Sequence, residues 1–519
     1  MFQARCIDET EAKLVARGEA FFHVSGAGHE ATAVLNFFLQ REDYLHLHYR
    51  DKALMLARGI RPKQFFDSLF CNAESHSLGR QMSAHMSAPH LRILSMVGPV
   101  GNNALQAVGV ASVVKGQGKH ALVVCSMGDG STQQGEVLEA IAEAVRSRLP
   151  VLFLIQDNAY AISTRTKGQT FYSQPDGDAN EFYGLPIHRV NGRDPVAAYS
   201  KLGPIVASMR TEGKPALVVF EVDRLSDHTN ADDERKYRKE DEIRKVAERG
   251  DPIKNLAAHL IKSGVSAQEL EASANALRSE IETVAEEALS TWAAAPVADA
   301  KKPLPPALTK TSNDLEKTES SGRQEELGAV NNQEPIPLPA AAKSSEQQLT
   351  MLEAIRETLR RRLAADDRVT LFGEDIEDPK GDVFGITRGL TKAFPARVIN
   401  SALSESTIVG MSIGRALAGG RPVALIQFAD FLPLAFNQIL CELATMYWRT
   451  AGGWECPVII MAPCGGFRPG LGPFHAQTME SVLAHAPGLD VFMPSNATDA
   501  AGLLNAAFES GRPTMFLYP

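Results

Sequence analysis

Short apolar runs recur along the chain at residues 121–126, 151–155 and 216–222, each too brief for a helix and rich in Val, Leu and Ile. Unbroken runs of this kind predict buried strands of a parallel sheet covered on both faces. Between the first two, Val137, Ile141 and Val145 recur every fourth residue within 133–147, so a helix is expected to connect the strands. The style returns later. Residues 369–372, 423–427, 458–461 and 491–493 read as strands, and 352–364, 407–418 and 434–448 as helices. From 296 to 348 the pattern stops: seven prolines and no aromatic residue occur among clustered Ser, Thr, Glu, Lys and Asn. Such a stretch buries too little apolar area to offset its ordering entropy and reads as a disordered linker. The expected architecture is therefore α/β, with parallel sheets flanked by helices in two domains, 1–295 and 349–519.

Composition narrows the function classes. The 519 residues carry 53 Lys+Arg against 62 Asp+Glu, a formal charge of −9. That balance argues against general nucleic-acid binding, which relies on a basic surface. No apolar run approaches the roughly 20 residues of a membrane helix, and residues 1–9 lack the apolar core of a leader. Cys6, Cys71, Cys125, Cys441, Cys456 and Cys464 include no CxxC pair, which fits reduced thiols in the cytoplasm rather than zinc ligands or a disulfide framework.

The strongest chemical constellation follows the strand at 121–126. It runs into Gly128-Asp129-Gly130-Ser131 and then toward the helix. Glycines allow a ligand to approach the backbone, and free amides at a helix start favour an anion. The next strand ends at Gln156-Asp157-Asn158-Ala159-Tyr160, so the two turns should be neighbours at the carboxyl edge of the sheet, where open α/β sheets bind ligands. Asp129, Asn158 and a carbonyl near Tyr160 form half of an octahedral oxygen shell suited to magnesium.

Gly128-Asp129-Gly130, twenty-seven residues and then Asn158 is similar to the thiamine diphosphate signature. Tyr160-Ala161-Ile162-Ser163-Thr164, His48-Tyr49-Arg50-Asp51, Gly79-Arg80-Gln81-Met82, Leu105-Gln106-Ala107-Val108-Gly109 and Tyr237-Arg238 resemble the alpha subunit of the decarboxylating component of 2-oxoacid dehydrogenases. Gly373-Glu374-Asp375, Leu403-Ser404-Glu405, Ile408-Val409-Gly410, Gln427-Phe428-Ala429-Asp430-Phe431 and Pro487-Gly488-Leu489 resemble its beta subunit. The resemblance implies a diphosphate-binding body followed by a pyrimidine-binding body, with thiamine diphosphate and Mg2+ at a junction between them.

By that resemblance Asp129, Asn158 and the Tyr160 carbonyl hold magnesium, and Tyr49 and Arg50 contact the diphosphate. Gly128, Gly130 and Ser131 complete the diphosphate turn. Gly98 and Val100 contact the pyrimidine from the alpha side, with Gln427 and Phe431 opposite. Glu405 matches the glutamate that hydrogen-bonds a pyrimidine ring nitrogen and activates the thiazolium, a role that needs a sheltered carboxyl group. His228 and His475 match active-site loop histidines able to settle protons after decarboxylation, whereas His46 and His85 are read as ordinary solvated histidines. Gly26-Ala27-Gly28-His29-Glu30-Ala31 mimics a dinucleotide fingerprint but follows no convincing strand and matches the family's helix start.

The implied reaction is oxidative decarboxylation of a 2-oxoacid, leaning toward branched-chain substrates, with acyl transfer to a lipoyl-bearing acyltransferase by a homodimer or higher homo-oligomer. The alternative is a decarboxylase or carboligase that joins the fragment to another acceptor. Four departures stand out. The two halves are fused; Gln156-Asp157-Asn158 replaces acid-Asn-Asn; Phe171 stands where relatives place a phosphate-binding arginine, with Arg165 as the nearby substitute; and the sequence stops at Pro519, where a third domain would follow.

Overall fold

The computed structural model describes residues 1–117, 120–290, 348–467 and 469–519. The expected linker therefore lies outside the described residues, apart from Gln348. The first body is built on β1 (Tyr44–His46), β2 (Val123–Gly128), β3 (Val151–Asp157), β4 (Glu181–Phe182), β5 (Leu185–Asn191) and β6 (Ala216–Glu221), in the order β1-β2-β3-β6-β5-β4. Its strands are parallel except β4, which runs antiparallel to β5. The apolar runs predicted as strands are β2, β3 and β6, all buried at nearly every position. Strand β5 escapes that pattern because its exposure alternates along the sheet margin.

The second body repeats the design with β7 (Val369–Gly373), β8 (Val398–Asn400), β9 (Arg421–Leu425), β10 (Ile459–Pro463), β11 (Asp490–Phe492) and β12 (Thr514–Tyr518), ordered β8-β7-β9-β10-β12-β11 and wholly parallel. One expected element differs. The single helix predicted over 434–448 is instead a 3-10 segment Ala429–Ala435, a π segment Asn437–Leu443 and an α-helical turn Met446–Arg449. Pro433 cannot continue an α-helical ladder. The wider π turn buries both Gln438 and Glu442; Gln438 then reaches Asn102 and Glu136, while Glu442 pairs with Arg449 at 2.6 Å.

Three helices fix how the bodies meet: α1 (Asn103–Gly116), α2 (Gly135–Arg146), which links β2 to β3, and α3 (Glu405–Leu417). Helix α3 is buried at almost every residue, so its sequence shows no polar face. It crosses α1 with glycines at the contact. A Cβ on Gly109 would lie 2.2 Å from the Met411 carbonyl oxygen, one on Gly414 2.0 Å from that of Gln106, and one on Gly410 2.5 Å from Leu105 Cβ. Backbones this close leave no room for a side chain. Leu105, Val108 and Ile141 consequently share one core with Ile408, Met411, Ile413 and Ile439. Polar ties frame the crossing: Ser404 Oγ donates to Glu139 Oε2 at 2.7 Å, and Asn437 Nδ2 to Asn102 Oδ1 at 2.7 Å. No helix among the described residues is long and apolar enough to cross a membrane.

Gly109→Ala should overpack this crossing and destabilise the protein by about 1–3 kcal/mol. Gly116→Ala, in the same helix but with nothing within 4 Å of the added carbon, should be neutral or stabilising by up to about 1 kcal/mol. Thermal midpoints of the two variants measured side by side check the contrast.

Candidate active site

Tyr49 and Arg50 follow β1, the Gly128-Asp129-Gly130 turn ends β2, Asn158 follows β3 and His228 follows β6. Parallel strands thus deliver all of them to one sheet edge. The turn after β2 begins with a single 3-10 turn, Asp129–Ser131, and α2 starts only at Gly135, later than the sequence suggested. The two turns touch, since a Cβ on Gly130 would lie 2.6 Å from Ala161 Cβ. Ser131 Oγ donates to the Gly128 carbonyl at 2.6 Å and closes the turn.

Asp129 is buried, with Oδ2 accepting from Thr166 Oγ1 at 2.7 Å and Oδ1 from Gly130 N at 3.0 Å. Burial, with nearby Asp157 adding to it, pushes its carboxyl up to about 6, and among the described residues no cationic side chain pairs with it. The Tyr160 N–H donates to Asn158 Oδ1 at 3.1 Å. Two oxygen donors with excess negative charge and no counterion are the donor chemistry of a magnesium site.

Arg50 presents the opposite imbalance. It is 2% exposed. Its Nη2 lies 3.0 Å from His228 Nδ1 and donates to the His228 carbonyl at 3.1 Å, while Nη1 donates to the Ser25 carbonyl. Among the described residues it forms no ion pair, and burial together with neighbouring Arg224 lowers its pKa. Burial, Arg50 and Arg224 push His228 down to about 4, and His48 lies well below its ordinary value for the first two reasons. Tyr49 packs its ring against His48 at 3.9 Å, His85 at 6.0 Å and His228 at 6.4 Å between centroids. A sheltered guanidinium without a carboxylate, ringed by neutral imidazoles, suits a diphosphate.

In the second body Glu405 opens α3, capped by Ser404, whose side chain accepts from Thr407 N. Glu405 and Gln427 are buried, and the Gln427 amide nitrogen donates to the Glu374 carbonyl, leaving its own Oε1 without a partner among the described residues. Phe431 and Phe428 flank His475 edge-on, at 5.5 and 4.6 Å. Phe428 and His475 border an apolar cavity of about 410 Å³ that also touches Phe384, Cys464 and Leu471.

Among the described residues, no hydrogen bond, ion pair or ring contact joins the Arg50–His228 group to the Glu405–His475 group. The shallow depression beside Tyr49, Val100 and Ser131 receives only Glu442 from the second body. Gly98 faces open space and Val100 is 39% exposed. Other expectations need correction. His46 and His85 are buried rather than solvated, because His46 bonds Gln106 at 3.0 Å and His85 sits beside Tyr49. Phe171 belongs to the core, and Arg165 pairs with Glu242 at 2.7 Å while stacking on Tyr160, so it is committed elsewhere. Two groups were given no site role from the sequence, although Glu374 lies in the Gly373-Glu374-Asp375 motif. Arg224 lies fully buried beside Arg50, and Glu374, at the carboxyl end of β7, is raised to about 7 by burial, by Glu405 and by Asp375. Their position at a strand end was the available signal.

A carboxyl group raised in the folded state costs the fold nothing below its unfolded pKa, and stability is lost as pH rises from there through about 7. Glu374→Gln should therefore raise the thermal midpoint at pH 8 by on the order of 2 °C and leave it nearly unchanged at pH 5. A gain equal at both pH values would contradict this assignment.

Comparison with known proteins agrees with the geometry. The Dehydrogenase E1 component family matches residues 1–300, and the pyrimidine binding domain of transketolase matches residues 347–519. The 2-oxoisovalerate dehydrogenase subunit alpha of Bacillus subtilis is 33% identical over 274 residues, covering 52% of this chain and 82% of that subunit. The subunit beta from the same organism is 41% identical over 169 residues, 32% of this chain and 51% of its own length. The pyruvate dehydrogenase E1 component subunit beta of Bacillus subtilis is 40% identical over 173 residues, 33% of this chain and 52% of that subunit. The chain thus spans about half the length of the beta subunits it matches. With an alpha-type body and a beta-type pyrimidine-binding body in one polypeptide, the chain belongs to the dehydrogenase E1 component family.

Proposed function

We propose that the protein is a thiamine diphosphate- and Mg2+-dependent enzyme that oxidatively decarboxylates a 2-oxoacid and passes the acyl group to a lipoyl-bearing acyltransferase. The observation that carries this reading is the pairing, in one chain, of an unneutralised Arg50 and Asp129 in the first body with the sheltered Glu405 in the second. Asp129, Asn158 and the Tyr160 carbonyl would hold the cation; Tyr49, Arg50 and the Gly128–Ser131 turn would hold the diphosphate. Bound there, thiamine diphosphate would supply a nucleophilic carbon and an electron sink for decarboxylation of a 2-oxoacid.

The chain's own residues set protonation and access. Glu405, in a dry site, holds a proton at the pyrimidine ring nitrogen. Glu374 stands near enough that two negative charges disfavour each other, which keeps one carboxyl group protonated near neutrality. His228 and His475 move protons at the substrate end; His475 is oriented by the Phe428 and Phe431 rings. The alpha and beta relatives named for 2-oxoisovalerate, together with Gly79-Arg80-Gln81-Met82, favour a branched 2-oxoacid. Six free thiols fit a reducing, cytoplasmic setting.

The separation of the two clusters supports a homodimer in which Glu405, Phe431 and His475 of one copy complete the Arg50–Asp129 half-site of the other. Exposed Leu403, Phe467 and Phe474, close in sequence to Glu405 and His475, would be covered by that contact.

A panel of 2-oxoacids assayed with Mg2+, thiamine diphosphate and an artificial electron acceptor, with carbon dioxide measured in parallel, tests the reaction. Acceptor reduction matched by gas release is expected with branched substrates; gas without reduction would indicate a decarboxylase or ligase instead. Mixing inactive Arg50→Ala chains with inactive Glu405→Ala chains should restore about a quarter of wild-type activity, because half the dimers then carry one intact site. No recovery after exchange would place both half-sites within one copy.

A further inference from the structure

We infer that a buried relay, Asp51–Gln156–His29, fixes which way the amide of Asn158 faces, and that His29 and Gln156 are positioning residues for the cation site. This rests on the reading of Asn158 as a ligand through its Oδ1.

The relay is wholly internal. Asp51, Gln156 and His29 are each 0% exposed. Gln156 Nε2 donates to Asp51 Oδ1 at 2.7 Å and to Ser126 Oγ at 2.8 Å, while its Oε1 stands 2.6 Å from His29 Nδ1. Asp51 is itself held by the His48 N–H, which donates to Oδ2 at 2.9 Å. The far ring nitrogen, His29 Nε2, lies 3.4 Å from Asn158 Nδ2.

Donor and acceptor capacities leave one consistent assignment. Burial raises the Asp51 carboxyl to about 6, so at neutral pH it is ionised and only accepts; Gln156 then turns its NH2 toward Asp51 and Ser126 and its oxygen toward His29. That oxygen only accepts, so His29 must carry its proton on Nδ1. Nε2 is then a bare lone pair and accepts from the Asn158 NH2. The amide oxygen of Asn158 is thereby directed away from His29, toward the Tyr160 amide. A flipped Asn158 would set its oxygen against the Nε2 lone pair, losing a hydrogen bond and adding repulsion in a partly buried site.

One departure in sequence, Gln156, and the glycine-rich run at 26–31 belong to this one device. Gln156 stands where the related pattern has an acid, and an acid there would face Asp51 carboxylate to carboxylate. His29 sits in the glycine-rich run Gly26-Ala27-Gly28, where a Cβ on Gly28 would lie 1.7 Å from the Asp223 carbonyl oxygen. The run is thus pinned against the loop after β6, and the imidazole is held in place from its backbone.

The test uses apoprotein and a binding readout. Thiamine diphosphate is titrated calorimetrically into the full chain at fixed Mg2+, and again over a Mg2+ series. His29→Leu should raise the Mg2+ concentration required by about 10–100-fold, the usual cost of losing a partner behind a metal ligand. His29→Gln keeps a donor toward Gln156 and an acceptor toward Asn158 and should bind within about threefold of wild type, with an unchanged thermal midpoint. In an Asn158→Asp background, where the two carboxylate oxygens are equivalent, adding His29→Leu should cost less than about threefold. An equal loss from His29→Leu with and without Asn158→Asp, or wild-type affinity in His29→Leu alone, would overturn the relay. Wild-type protein that binds no thiamine diphosphate with Mg2+ would instead overturn the proposed function.

Discussion

Everything in this molecule is arranged around the close crossing of α1 and α3. Glycines at 109, 410 and 414 remove the side chains that would otherwise separate the helices, so main chain meets main chain across the boundary between two sheets. Packing at that distance is non-directional in energy but strict in geometry. It places the amino end of α3, where Glu405 sits, beside α2, the helix that follows the Gly128–Ser131 turn. Ser404, the residue that caps Glu405's helix, is bonded to Glu139 of that helix. The position of a carboxyl group in one body is therefore set partly by the other.

The two bodies divide the electrostatic labour. The first buries Arg50, which forms no ion pair among the described residues, beside Arg224, which pairs with Glu234 at 3.9 Å, and burial holds His48 and His228 neutral around them. The second brings Glu374, at the end of β7, near Glu405, at the start of α3, and burial with Glu405 and Asp375 raises the Glu374 carboxyl to about 7. On the proposed reading, an anion and a proton-accepting ring would be served by opposite halves of the polypeptide, each half supplying the charge that its ligand needs away from water.

Much of this was legible in the residues. The strands β2, β3 and β6 announce themselves because both faces are buried and the apolar run is unbroken. The turn pair at Asp129 and Asn158 follows directly, since adjacent parallel strands deliver their carboxyl ends together. The 429–449 segment was less legible: its apolar spacing fits an α-helix, but partners at Asn102, Glu136 and Arg449 select a wider turn that no local propensity encodes. Burial of His46, His85 and Arg224 was equally hidden, because a polar residue is brought inside only by partners distant in sequence. That no hydrogen bond, ion pair or ring contact joins the Arg50–His228 and Glu405–His475 groups among the described residues could not be read from motifs at all. Motif order says which groups belong to one chemistry; it does not say which faces of two bodies meet.

The shared core has a consequence for what unites this polypeptide. Leu105, Ile141, Ile408 and Met411 belong to one apolar interior, and the glycine crossing admits no solvent between the helices. Covalent continuity between the halves is then an accessory that raises their effective concentration, while adhesion comes from the packed surfaces. The two halves would hold together through these surfaces as two separately made subunits do.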